Sequence, residues 1–336
     1  KCVRLGKAKP VDLFGEKAPL GDFSTVCGRG VPLPCFFGGE IMECSLCPRE
    51  CGADRVNNVG FCGMKRGVRV ARAALHQWEE PCISGTDMSR GSGTVFFSGC
   101  VMRCIFCQNH DISAGGFGKD ISTERLAEIF LELQDRGAWN INLVSPTPFV
   151  PEIIRALDMV KGRLNIPVVY NSGGYERVET LRALEGCVDV YLPDVKYYSD
   201  ELAAELSSAP GYFEIAMRAV EEMLRQTGKP QSGADGMLRK GVIVRHLVIP
   251  GHYRDSVEVI RRVGERFGQD VLFSLMSQYT PYEKNAAFPE LNRRITSYEY
   301  QKVVDAALDL GLTQGFMQEK SSAKEEYTPA FDLEGL

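Results

Sequence analysis

The sequence contains no uninterrupted apolar stretch approaching the roughly 18 residues that a membrane-spanning helix needs. It shows no charged start, apolar middle and small-residue cleavage site of a secretory signal, and it opens at Lys1 rather than at a methionine. It carries no basic excess either: 39 Lys and Arg against 44 Asp and Glu leave a formal net charge of -5, which gives no electrostatic footprint for nucleic acid. No internal repeat or low-complexity tract divides it. What remains is a chain of 336 residues, 44% hydrophobic and 25% charged, with room for one large domain and a smaller appendage. The expectation is a cytoplasmic protein whose partners are neither nucleic acid nor membrane.

Cysteine, by contrast, is abundant, with 12 in the chain. Seven fall into two tight groups, Cys44, Cys47, Cys51 and Cys62, then Cys100, Cys104 and Cys107. Disulfide scaffolds are short and loop-rich, whereas the second half here is long and strongly patterned, so the grouping points to metal. The scattered Cys2, Cys27, Cys35, Cys82 and Cys187 read as small buried hydrophobes.

From about residue 94, β-branched runs alternate with helical periodicity. The predicted strands are "TVFFS" (94–98), "NINLV" (140–144), "IPVVY" (166–170), "VDVYL" (188–192), "VIVRHLV" (242–248) and "VLFSLM" (271–276). Between them, helices follow the i, i+3, i+4, i+7 rule. In the first, Leu126, Ile129, Phe130 and Leu133 share a face, Ser122 caps the start and Gly137 lies beyond the end. Six βα units imply a right-handed parallel array, either an open doubly wound sheet or a partial barrel. In both, chemistry gathers at strand C-termini. These carry Ser145 and Thr147, Asn171 and Ser172, Asp194 and Lys196, Arg245 and His246, and Gln278 and Tyr279. Strand alternation lets only one of Arg245 and His246 face such a site. The polar segment 227–241 reads as an insertion.

The three-cysteine loop "CVMRCIFC" follows the first strand directly. Zinc could use His110 as a fourth ligand, and Cys104 with Cys107 could form a redox pair, which leaves Cys100 idle. A [4Fe-4S] cluster uses all three thiols and leaves one iron open to a ligand. For the group from Cys44 to Cys62, structural zinc and an auxiliary [4Fe-4S] cluster fit equally.

The loop "CVMRCIFC", with an aromatic before its last cysteine, resembles the signature of the radical S-adenosylmethionine (SAM) enzymes. The likeness extends from residue 94 to about 280. Through "CSLCPRECG", "GFCG", "GSGTVFFSGC", "CQN", "NLVSPTPF", "YLPDVKY" and "VRHLVIPG" the chain is most similar to pyruvate formate-lyase-activating-enzyme-like (PflX-type) proteins. The resemblance implies an α/β fold, a partial (β/α)6 barrel at 94–320. A Cys-rich region at 1–93 would precede it and a tail at 321–336 would follow. It implies a [4Fe-4S] cluster on Cys100, Cys104 and Cys107 whose open iron chelates SAM. Reductive cleavage of SAM then gives a 5′-deoxyadenosyl radical that abstracts hydrogen from a substrate. Phe106 would lie against the adenine, and Asp194 with Lys196 beside SAM. Asn171 and Ser172 would approach the ribose or methionine, and Arg245 the SAM carboxylate. An external donor such as flavodoxin or ferredoxin would supply the electron. Activating enzymes present Gly-Gly-Glu-Pro after the second strand, and this chain has "SPTP" at 145–148, where the Ser145 and Thr147 hydroxyls would serve instead. That departure favours a small-molecule or peptide substrate over a glycyl radical enzyme. A non-catalytic iron-sulfur electron carrier is the remaining alternative.

Overall fold

The computed structural model describes residues 2–4, 43–281, 284–318 and 329–336. The expectations for Cys27 and Cys35 lie outside these residues.

Seven strands run parallel and adjacent in chain order: β2 (Ser92–Phe97), β3 (Ile141–Val144), β4 (Val168–Ser172), β5 (Val190–Pro193), β6 (Leu238–Leu247), β7 (Leu272–Met276) and β8 (Gly315–Gln318). The six strands predicted from the sequence are all present. The seventh, the four-residue "GFMQ", was too short to stand out. The preceding strand β1 (Val68–His76) pairs antiparallel with β2, and Cys2–Arg4 pairs antiparallel with β8 at the other end. Residues 68–76 and 92–93 are therefore part of the sheet, and a boundary after residue 93 cuts through β2.

Helices cover the outer face: α1 (Thr123–Asp135), α2 (Val150–Met159), α3 (Val178–Ala183), α4 (Asp200–Ser207), α5 (Tyr212–Thr227), α6 (Tyr253–Phe267) and α7 (Ser297–Asp309). In α1 the Ser122 hydroxyl accepts from Arg125 N at 3.1 Å, and Leu126, Ile129, Phe130 and Leu133 are buried, as their spacing predicts. Segment 227–241 forms a short hairpin, with Gln231–Ser232 folded back on β6. Among the described residues no helix is long and apolar enough to cross a membrane.

Strand alternation divides the side chains into two sets. Leu143, Tyr170, Tyr191 and Val244 pack outward against the helices. Val169, Val190, Leu192 and Ile243 point inward, where they enclose Cys82 and Ile83 of a short helix, Pro81–Ser84. That helix plugs the lumen at the N-terminal halves of the strands. Asn140 Nδ2 holds it by donating to Ile83 O at 2.7 Å. A second closure lies at the outer edge of β1. There Leu333 N donates to Ala71 O at 3.0 Å, Ala73 N donates to Glu334 O at 2.8 Å, and Arg72 pairs with Asp332 at 2.6 Å. The Phe331 ring meets Phe96 of β2 edge-on, with centroids 5.6 Å apart.

Candidate functional site

The chain leaves β2 through Gly99, whose φ of +79° belongs to glycine. A Cβ there would also meet Met64 and, at 2.7 Å, Cys62 O. The three cysteines follow, and each sulfur has a donor beside it. Met102 N approaches Cys100 Sγ at 3.4 Å, Ser207 Oγ donates to Cys104 Sγ at 2.9 Å, and Ser113 Oγ lies 3.2 Å from Cys107 Sγ. Burial pushes the Cys100 thiol up to about 12 and, with neighbouring Cys107 adding to it, the Cys104 thiol up to about 11; Lys196 acts against this at both. Thiols so placed lose their protons to a metal rather than to water.

Beside Cys104 stands a network of buried ions. Lys196 Nζ pairs with Asp194 Oδ2. Arg245 donates through Nε to Asp194 at 3.0 Å, through Nη1 to Glu79 at 3.2 Å and through Nη2 to Asn171 Oδ1 at 2.5 Å. Glu79 Oε1 also accepts from Asn142 at 3.0 Å and Asn171 at 3.2 Å. Burial alone would raise the Asp194 carboxyl, but Lys196 and Arg245 outweigh it and hold the group below its usual range. The guanidinium has protein acceptors on all three nitrogens, so the expected bidentate grip on a ligand carboxylate is already taken up by Glu79 and Asn171. His246 points to the opposite face, as alternation requires, with Nδ1 2.6 Å from Val195 O.

Thr147 and Ser172 face a different partner from the one expected. Thr147 Oγ1 donates to Glu176 Oε1 at 2.7 Å, and the Tyr170 and Ser172 hydroxyls serve the same carboxylate. Their side chains lie on the helix side of the sheet, and burial pushes Glu176 up to about 7. Ser145 adopts a left-handed φ of +58° in the turn after β3, with its N–H donated to Asn171 O at 2.9 Å. Phe106 is buried and packs at 5.9 Å from Tyr279, beyond the end of β7. The cysteine loop, Asp194, Lys196, Asn171 and Arg245 thus come together, with Phe106 and Ser145 at the rim.

Sequence reasoning missed Glu79, Glu80 and Asn142. Asn142 carried a signal, a polar residue at the centre of "NINLV". The glutamates sat in a Gly- and Pro-rich segment without periodicity, so nothing local marked them as lumen residues.

The second cysteine group occupies the loop over α2 and α3, held by Arg177 Nη1 to Ser45 O at 2.9 Å and Thr180 Oγ1 to Leu46 O at 2.7 Å. Cys44, Cys47 and Cys62 are buried and Cys51 is exposed. Among the described residues no three His, Cys, Asp or Glu side chains converge on a point where one metal ion would be held. Of the scattered cysteines, Cys82 is buried in the lumen plug, and Cys187 is buried and disulfide-bonded.

Residues 94–264 match the sequence profile of the radical SAM superfamily. An uncharacterized protein of Methanocaldococcus jannaschii is 33% identical over 274 residues, which cover 79% of this chain and 74% of the relative. Among solved structures, Streptococcus suis SuiB bound to its precursor peptide SuiA is similar with a TM-score of 0.45 and 12% identity, over 66% of this chain and 46% of SuiB. Coproporphyrinogen III oxidase (HemN) of Escherichia coli, a radical SAM enzyme, gives a TM-score of 0.39 and 9% identity over 57% of this chain and 44% of HemN. The chain spans less than half the length of these two structures.

Proposed function

The chain belongs to the radical SAM superfamily, and from that premise we propose that it takes a hydrogen atom from a small-molecule or peptide substrate. Membership brings a [4Fe-4S] cluster and SAM, which when bound supply one-electron cleavage of SAM to methionine and a 5′-deoxyadenosyl radical. Cys100, Cys104 and Cys107 hold the cluster in this reading. Its main support is the convergence of three donor-flanked thiols with the Asp194–Lys196 pair at the strand C-termini.

The remaining roles follow from placement. Lys196 keeps a fixed positive charge beside Cys104, and Asp194 fixes its direction. Phe106 with Tyr279 offers an apolar wall for the adenine, while Asn171 and Ser145 flank the methionine end. Arg245 acts as a positioning residue that braces Asp194 and Asn171, and Thr147 and Ser172 brace the β3 and β4 ends through Glu176. The Cys44–Cys62 loop holds a second metal centre, zinc or iron-sulfur. A flavodoxin- or ferredoxin-type protein supplies the electron, and the free thiols of both sets suit a reducing cytoplasm, although Cys187 is disulfide-bonded.

A glycyl radical enzyme as substrate is the second reading, favoured by the Asp194-x-Lys196 pair. The plugged lumen and the polar "SPTP" turn favour the first. Protein prepared without air, reduced with dithionite and given SAM should release 5′-deoxyadenosine. An intact-cluster preparation that releases none would overturn the assignment and favour an electron carrier.

A further inference from the structure

The segment leading to the lumen plug brings two carboxyls into the barrel in succession, Glu79 and Glu80, just before Pro81. Arg245 is acted on by three carboxyls at once, those of Asp194, Glu79 and Glu80. It pairs with two of them, Asp194 at 3.0 Å and Glu79 at 3.2 Å, and Lys196 takes the other Asp194 oxygen. Three carboxyls thus face two cations. Glu80, 4% exposed, is the one left without an ion pair among the described residues.

A second observation is independent of this charge balance. Asn142 of β3 reaches Glu79, and Ser274 of β7 lies level with Arg245 in the β6–β7 register and beside the Glu80 carboxyl. Both are fully buried. Yet Asn142 Oδ1, Ser274 Oγ and Glu80 Oε2 have no hydrogen-bond partner among the described residues. Native interiors leave few such atoms, and three on neighbouring side chains mark a place that another group completes. Water can complete the amide and the hydroxyl, but it cannot neutralise the carboxyl. Among the described residues no three carboxyls come together as a metal ion would require. The layer can be reached from the strand C-termini, where the side chains of Glu79 and Asp194 keep 11% of their surface and those of Arg245 and Lys196 keep 13%. Val144 and Met276 stand two residues beyond Asn142 and Ser274, on the same faces of their strands, and give that approach an aliphatic lining.

We propose that this floor of the lumen is the substrate subsite and that it takes the primary ammonium group of an aliphatic amine. Glu80 supplies the counter-charge, while Asn142 Oδ1 and Ser274 Oγ accept N–H groups. An ammonium carries three donors and no acceptor, which suits three oxygens that lack donors. A carboxylate or phosphate would add a further anion where carboxyls already outnumber cations, and a neutral alcohol brings one donor and no charge. The word substrate rests on the proposed function; the amine site itself does not.

The test compares n-butylammonium with two probes of similar size, n-butanol and butyrate, by calorimetry on the cofactor-loaded protein without reductant and with SAM saturating. The amine should bind about tenfold more tightly than either probe, and Glu80→Gln should remove that preference. Ser274→Ala keeps the carboxyl and should weaken the amine alone, by a few-fold, so the test survives if Glu80→Gln fails to fold. Equal binding of amine and alcohol, or a preference that both variants retain, would overturn the proposal. So would amine binding that SAM abolishes, since the amine would then occupy the cofactor's place. Selective amine binding by protein that releases no 5′-deoxyadenosine supports the subsite and sinks the proposed function. Release of 5′-deoxyadenosine by protein with no amine preference does the reverse.

Discussion

Single residues set the conditions of this site, and two of them can be tested by stability. Ser145 holds a left-handed conformation that costs a non-glycine residue about 1 kcal/mol. Ser145→Gly should stabilise the fold by that amount in denaturant unfolding, while Ser145→Ala should not. Glu176 is 2% exposed, and burial raises it from 4.5 to about 7. The folded state then binds the proton more tightly than the unfolded one, so its contribution to stability is complete below about pH 4.5 and is lost as pH rises through about 7. A shift of that size corresponds to something on the order of 3 kcal/mol. Glu176→Gln should therefore gain on wild type progressively from pH 5 to pH 8, and parallel melting curves across that range would refute the assignment of the slope to this carboxyl.

Among the elements, the short helix Pro81–Ser84 has most consequence for its length. Ile83 is fully buried in the lumen, so Ile83→Ala should cost about 3 kcal/mol and Ile83→Val about 1 kcal/mol, read as midpoint shifts in urea. This plug also shows where sequence reasoning stops. The parallel strands and α1 were legible because burial on both faces or on one helical stripe repeats along the chain. That Cys100, Cys104 and Cys107 share one loop beside Lys196 was legible in part because their spacing is local. Glu79, Glu80 and Ile83 enter the barrel by a tertiary path that leaves no periodic trace. The partners of Thr147 and Ser172 were equally hidden, since a strand-end hydroxyl looks the same whichever face it serves. Only the register of β3 and β4 decides that.

At the scale of the whole molecule, the barrel is joined by segments far apart in sequence. Beyond β1, the strand Lys119–Ile121 covers the outer edge from Val68 to Val70, and residues 333–334 cover Ala71 to Ala73. The latter contact links Arg72 to Glu334 across a sequence separation of 262. Contacts of such separation form late in folding, because chain entropy must be lost before they reward it. During synthesis the Ala71–Ala73 stretch of β1 therefore waits with an open edge, a template for pairing with other chains, until residues 333–334 emerge. That interval leaves Phe96 without Phe331, and the flank of the cysteine loop open to the medium.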